Sequence, residues 1–166
     1  MLRMKDSFKF RGLKDNKWFY GAYHVHLPYT PQCCSEPPES DYKHLIISDG
    51  FSDWGLPREI RCTEVDKNSI GRCSGVNDRN GNLIFQGDIV RCDAYPFNSD
   101  GQDNYLAEIC WDDDTASFFY YIFKNPKFND VQGIVEGVTG FINKYGFEVI
   151  GNIHQNPELK GANAHV

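Results

Sequence analysis

The sequence predicts a mainly β protein, and three observations carry that expectation. Short runs of aromatic and β-branched residues recur along the chain. Gly, Asn, Asp and Pro punctuate them. Helical periodicity is almost absent.

The elements follow in order. Phe8 to Arg11 alternates, and Lys14-Asp15-Asn16-Lys17 turns the chain behind it. Trp18 to Val25 and His44 to Ser48 read as strands, the latter ending at the turn signal Asp49-Gly50. Glu59 to Val65 is a further run. Ile84-Phe85, Asp88 to Cys92, Leu106 to Trp111, Ser117 to Phe123 and Glu148 to Ile153 complete the strand candidates. Pro28, Pro31, Pro37 and Pro38 exclude a central strand from residues 28–40, which read as a loop or insertion. A second irregular stretch covers residues 96–104. Val131, Ile134, Val135 and Val138 share one helical face, so a short helix is expected there, with Asn129 or Asp130 as its cap. Gly133 and Gly137 weaken that helix. The expected architecture is an N-terminal β subdomain over residues 1–75 and an SH3-like β-barrel with a C-terminal tail over 76–166. One or two short helices complete it. The barrel is an analogy with the Gly87-Asp88 opening and the hairpin that ends near Trp111.

The bulk properties are those of an ordinary globular chain: 166 residues, 40% hydrophobic and 24% charged. No apolar run approaches the roughly 18 residues of a membrane span, and no apolar leader follows the N-terminus. Cys33, Cys34, Cys62, Cys73, Cys92 and Cys110 are irregularly spaced and read as reduced thiols. The net charge of −6 is unevenly placed. Residues 1–82 hold 12 Lys/Arg against 11 Asp/Glu, whereas 83–166 hold 5 against 12. An acidic C-terminal half opposes binding to phosphate backbones. A basic strip of Arg3, Lys5, Lys9, Arg11, Lys14 and Lys17 is more often a solvated strand edge than a nucleic-acid groove.

Candidate chemistry is sparse. His24 and His26 share a strand face close to Cys33 and Cys34, but no Cys-x-x-Cys accompanies them, so no metal site is assigned. Asp112-Asp113-Asp114 lacks the alternating spacing and glycine of a calcium loop and reads as a hairpin turn. No nucleophile elbow or phosphate-cradling Gly-rich loop is present, so neither a catalytic residue nor a cofactor is expected. Ser117 to Phe123 is apolar on both faces. Phe118, Phe119, Tyr120 and Tyr121 are therefore the candidate interaction surface, unless another part of the chain covers them.

Three blocks carry a family resemblance. The first is Lys9-Phe10-Arg11. The second runs from Ser74-Gly75-Val76 through Asp78, Asn80-Gly81 and Ile84-Phe85 to Gly87-Asp88-Ile89-Val90. The third is Glu148 to Leu159. In this order they resemble the YopX family of phage and prophage proteins. Ser74, Val76 and Phe85 are softer substitutions within the pattern. The resemblance implies a mainly β protein from a phage or prophage locus, and it implies no activity. The matched residues suit turns and strands. The resulting expectation is a non-enzymatic accessory protein of the host cell cytoplasm, a protein-binding or assembly module. It would form homo-oligomers or bind a phage or host protein. The alternatives are a nucleic-acid-binding factor in phage replication or regulation and, more remotely, an enzyme of unknown class.

Overall fold

The computed structural model describes residues 9–29, 36–92, 105–124, 135–137 and 147–160. The chain divides into two compact units, Phe8–Gly71 and Arg72–Val166.

The first unit is an antiparallel meander. β1 (Phe10–Lys14), β2 (Lys17–His26), β3 (Lys43–Asp49) and β4 (Ile60–Glu64) lie side by side in chain order. Asp15 and Asn16 close the first hairpin with φ of 48° and 60°. Two consecutive positive φ values are what a two-residue type I′ turn requires. β2 serves its two neighbours in succession, Lys17 to Gly21 pairing with β1 and Ala22 to His26 with β3. Gly21 sits at the changeover, where a Cβ would lie 2.0 Å from the Ile47 carbonyl oxygen. One sheet face buries Ile46, and Val65 joins it beyond the end of β4. A short 3-10 turn, Lys67–Ser69, ties this end to β1: Leu13 N–H donates to Ser69 Oγ at 2.7 Å, and Asp66 caps the turn through Asn68 N–H.

The second unit opens with an antiparallel pair, β5 (Gly71–Asn77) and β6 (Leu83–Phe85). Five more strands follow: β7 (Asp88–Cys92), β8 (Tyr105–Asp112), β9 (Ser117–Lys124), β10 (Val135–Gly137) and β11 (Glu148–Asn152). They form one antiparallel sheet in the order β10-β9-β8-β7-β11. Its core gathers Ile84, Val90, Ala107, Ile109, Phe118, Tyr120, Ile122 and Phe147.

The mainly β expectation holds, and each strand candidate corresponds to a strand. Two elements differ. Val135 belongs to β10, whose register sets Val135 against Tyr121 and Gly137 against Phe119, not to a helix. Four Val/Ile at helical spacing suit a short strand equally well when β-branched. Val131, Ile134 and Val138 lie outside the described residues. β5 was not anticipated, because its Ser-Gly-Val-Asn sequence carries more turn than strand character. Helical structure among the described residues is confined to three 3-10 turns: Glu39–Asp41, Lys67–Ser69 and Pro157–Lys160. The SH3-like barrel is not what the described strands form. Their sheet is open, with β10 and β11 at its edges.

One buried carboxylate organises the second unit. Asp78 stands at the end of β5, almost wholly buried. Its Oδ1 accepts the backbone N–H of Asn80 at 2.9 Å and of Asn82 at 2.8 Å. Its Oδ2 accepts Asn82 Nδ2 at 3.2 Å and the N–H of Val149 in β11, also at 3.2 Å. Gly81, with φ +86°, completes the turn. Burial pushes the Asp78 pKa up, but the bonds from Asn82, Val149 and Asn80 outweigh it and hold the carboxyl below its ordinary value. Arg79 of the same loop donates its N–H to the carbonyl of Phe147, just before β11, at 2.9 Å, and its side chain bonds the Glu148 carboxylate, as does Arg91 of β7. Further on, Gly87 donates to Ile109 at 2.7 Å and accepts from Ile153 at 2.9 Å.

β11 then hands over to a closing turn. Asn152 Oδ1 accepts the N–H groups of His154 and Gln155. Asn156 and Leu159 come back over Gly151, where a Cβ would meet Asn156 Oδ1 at 2.7 Å and Leu159 Cδ1 at 2.8 Å.

Asp78→Ala removes the acceptor from four donors and is expected to cost about 3 kcal/mol in urea unfolding. The acid dependence has a definite sign. Because the folded pKa of Asp78 is depressed, its contribution is complete above the unfolded value of about 4 and is lost as pH falls through the folded value. Asp78→Asn should therefore flatten the loss of stability below about pH 4.

Candidate functional site

The described surface has one concentrated apolar feature, on the loop between β3 and β4. Phe51 is 81% exposed, Trp54 106% and Leu56 62%, and Ile60, which begins β4, is 73% exposed. The loop that carries them is held by short-range bonds. Its base is closed by Gly50 N–H to the Glu59 carbonyl at 2.6 Å. Its tip turns through Leu56 N–H to the Asp53 carbonyl at 3.1 Å and Ser52 Oγ to the Leu56 carbonyl at 2.9 Å. Gly55, with φ +82° and open space around its Cα, supplies the bend beside Trp54. An ordered turn thus displays three large apolar side chains, at a position where polar ones would cost nothing. Trp and Phe presented this way match the anchors that dominate protein interfaces. The sequence marks only Asp49-Gly50 as a turn signal here and assigns no element to residues 51–58. The available signal was three large apolar residues inside a segment of Ser, Asp, Gly and Pro.

The β4 strand beside this loop is the outer strand of its sheet. Its ladder with β3 includes Gly50 N–H to Glu59 and Val65 N–H to His44 at 2.9 Å. Hydrogen-bonded pairs alternate along an antiparallel ladder. Residues 59, 61, 63 and 65 therefore turn their backbone groups toward β3. Ile60, Cys62 and Glu64 turn theirs outward, and no described strand lies there. Their side chains share the sheet face with Ile47 and Ala22, in the cross-strand row Ala22–Ile47–Cys62.

The four aromatic residues expected to form an interaction surface separate by strand parity. Phe118 and Tyr120 point into the core, 7% and 1% exposed, the first edge-on to Trp111 at 4.9 Å and the second beside Phe147 at 5.6 Å. Neither belongs to a surface. Phe119 and Tyr121 lie on the other face, Tyr121 being 38% exposed and paired across the ladder with Glu108. That face is partly covered from within: Lys160 of the closing turn bonds Glu108, next to Cys110. Burial, then the Glu108 carboxylate, pushes the Cys110 thiol up to about 11.

The other candidates are also placed. His24 and His26 are exposed, with ring centroids 6.2 Å apart, and no group of three metal-ligating side chains occurs among the described residues. Cys33, Cys34 and the 96–104 loop lie outside the described residues, as do residues 30–35 of the Pro-rich segment. Asp113 and Asp114 lie in the β8–β9 hairpin turn, and Asp112, the last residue of β8, accepts Asp114 N–H at 3.0 Å and Thr115 Oγ1 at 2.7 Å. Those bonds, Thr115 first, hold the Asp112 carboxyl below its ordinary value. The basic strip is not a continuous cationic face. Arg11 is buried with its guanidinium 4.3 Å from the Trp18 ring centre, and Lys17 lies over Phe19. Arg3 and Lys5 lie outside the described residues. Cys62, Cys73 and Cys110 are free thiols.

Phe118→Ala should destabilise the fold by about 3–5 kcal/mol, as large aromatic deletions in cores do. Tyr121→Ala, half-exposed, should stay within about 1 kcal/mol. Urea unfolding of both variants checks the division of this strand. In a thiol-labelling time course read by mass spectrometry, Cys62 should react well before Cys73 and Cys110.

No curated protein matches the chain. Among solved structures it is similar to protein EF1440 from Enterococcus faecalis, at 24% identity and a TM-score of 0.48, over 92% of this chain and 96% of that one. No helix among the described residues is long and apolar enough to cross a membrane. The family model described as YopX protein matches residues 38–159, which hold the Asp78 turn, the paired β7 and β11 strands and the closing turn after Asn152. The chain belongs to the YopX family.

Proposed function

We propose that this protein is a phage- or prophage-encoded accessory factor that works in the host cytoplasm by non-covalent contact with protein, as a binding or assembly module and not as an enzyme. The observation that carries this reading is the β3–β4 loop, whose Phe51, Trp54 and Leu56 are displayed on an ordered turn. Apolar exposure of this size in one short segment is characteristic of a contact surface. The family's recurring residues support the same reading from the other side. Asp78, Gly87, Gly151 and Asn152 are spent on turns and strand pairing.

A nucleic-acid partner is the second reading. The inward turn of Arg11 and the acidic C-terminal half, where 12 Asp/Glu face 5 Lys/Arg over residues 83–166, both weigh against it.

Trp54→Ala and Phe51→Ala should leave thermal stability within about 1 kcal/mol of the parent, because the side chains are exposed. Each should weaken partner binding or self-association tenfold or more, in line with aromatic anchors costing about 2 kcal/mol or above. Light scattering and cross-linking in the phage-bearing host read the outcome. Parent-like association by both variants would remove the loop from the function. DNA or RNA binding that falls steeply with salt would favour the second reading.

A further inference from the structure

We propose that the outer edge of β4 is a two-fold contact between copies of this chain, in which two β4 strands pair antiparallel about Cys62. The inference rests on the protein-contact reading above and names the partner, the strand and the register.

Three observations lead to it. The first is the backbone. Ile60, Cys62 and Glu64 direct their N–H and C=O groups away from β3, so β4 offers a ladder that no described strand uses. Sheet edges are usually blunted by short length, charged side chains, Pro or a bulge. β4, Ile-Arg-Cys-Thr-Glu, is five residues long and carries Arg61 and Glu64, but it has no Pro and its register with β3 runs without a shift.

The second is symmetry. A two-fold axis perpendicular to the sheet keeps each side chain on its own face, and only outward-facing residues can bond across the new ladder. The register with most overlap sets Cys62 against Cys62 and Ile60 against Glu64 of the other copy. It uses all three outward residues twice. Glu64 does not arrive there as a lone charge, since Lys43 Nζ holds it at 3.0 Å.

The third is area. Antiparallel pairing brings each copy's Phe51–Leu56 loop beside the far end of the other copy's β4. Trp54 and Phe51 each offer roughly 150–250 Å² of surface. With Leu56 and Ile60, doubled by symmetry, the apolar surface available to the contact is on the order of 1,000 Å², the scale at which specific interfaces begin. One edge and one apolar loop, adjacent in sequence, thus complement their own two-fold image.

The register makes a chemical prediction. Opposed residues of a hydrogen-bonded antiparallel pair have Cα atoms about 5.5 Å apart, inside the range a disulfide spans. Mild oxidation of the full-length protein should therefore link two copies through Cys62 to Cys62, identified by mass spectrometry of the linked peptide. Light scattering of the reduced protein should show a dimer. Cys62→Pro is the decisive variant. Its lost N–H points outward, so the ladder with β3 is spared, and circular dichroism should match the parent while the dimer dissociates at least tenfold more readily. Ile60→Lys should do the same without touching the backbone.

Three results would overturn the proposal. A dimer unchanged by both variants and lacking the Cys62 link would place the copy-to-copy contact elsewhere and leave the assembly reading intact. A monomer at every concentration, with a heterologous partner lost on Trp54→Ala, would transfer the loop to another protein. A monomer with no such partner would remove this proposal and the protein-contact reading together.

Discussion

The Asp78 carboxylate is the constraint on which the second unit depends. It sits at the junction of β5 with the Asn80-Gly81 turn and reaches across to the first residues of β11. A buried carboxylate is tolerable only when its oxygens are occupied, and here the turn and β11 occupy them together. The turn therefore takes its shape only when β11 is in place, and β11 is registered only when the turn has formed. Glu148, bonded by Arg91 and Arg79, adds a second bridge at the solvent side of the same junction. The guanidinium bonds, that of Arg91 first, hold its carboxyl below the usual range.

Seen through that junction, the family pattern becomes intelligible. The blocks Ser74 to Val90 and Glu148 to Leu159 are far apart in sequence and adjacent in space, since β7 and β11 pair from Asp88–Asn152 to Arg91–Glu148. They are two halves of one structural joint. Gly151 and Asn152 shape the closing turn on one half, and Gly87 supplies two inter-strand bonds on the other. The apolar display of Phe51, Trp54 and Leu56 belongs to the other unit, on the loop between β3 and β4.

Strand positions were legible because each strand's signal is local: β-branched and aromatic residues bounded by turn formers. The Asp15-Asn16 hairpin was legible for the same reason, both residues tolerating positive φ. What escaped was set by distant partners. β5 is a strand because Cys73 and Asn77 find Phe85 and Leu83, not because Ser-Gly-Val favours one. β10 extends because Tyr121 and Phe119 lie beside it. Parity along Ser117 to Phe123 was visible, but only the fold says which parity is inside. The exposed loop has no periodicity to mark it; its one local signal is Phe51, Trp54 and Leu56 among Ser, Asp, Gly and Pro.

The joint between residues 78–91 and 147–153 also orders events in time. The first unit is a run of neighbouring hairpins, each closable as soon as its two strands exist. The second cannot complete its sheet until β11 arrives some 60 residues after β7, and contacts of such separation slow folding. On a ribosome the N-terminal meander would thus be formed while β7 still waited for its partner, its edge open until the closing turn emerged.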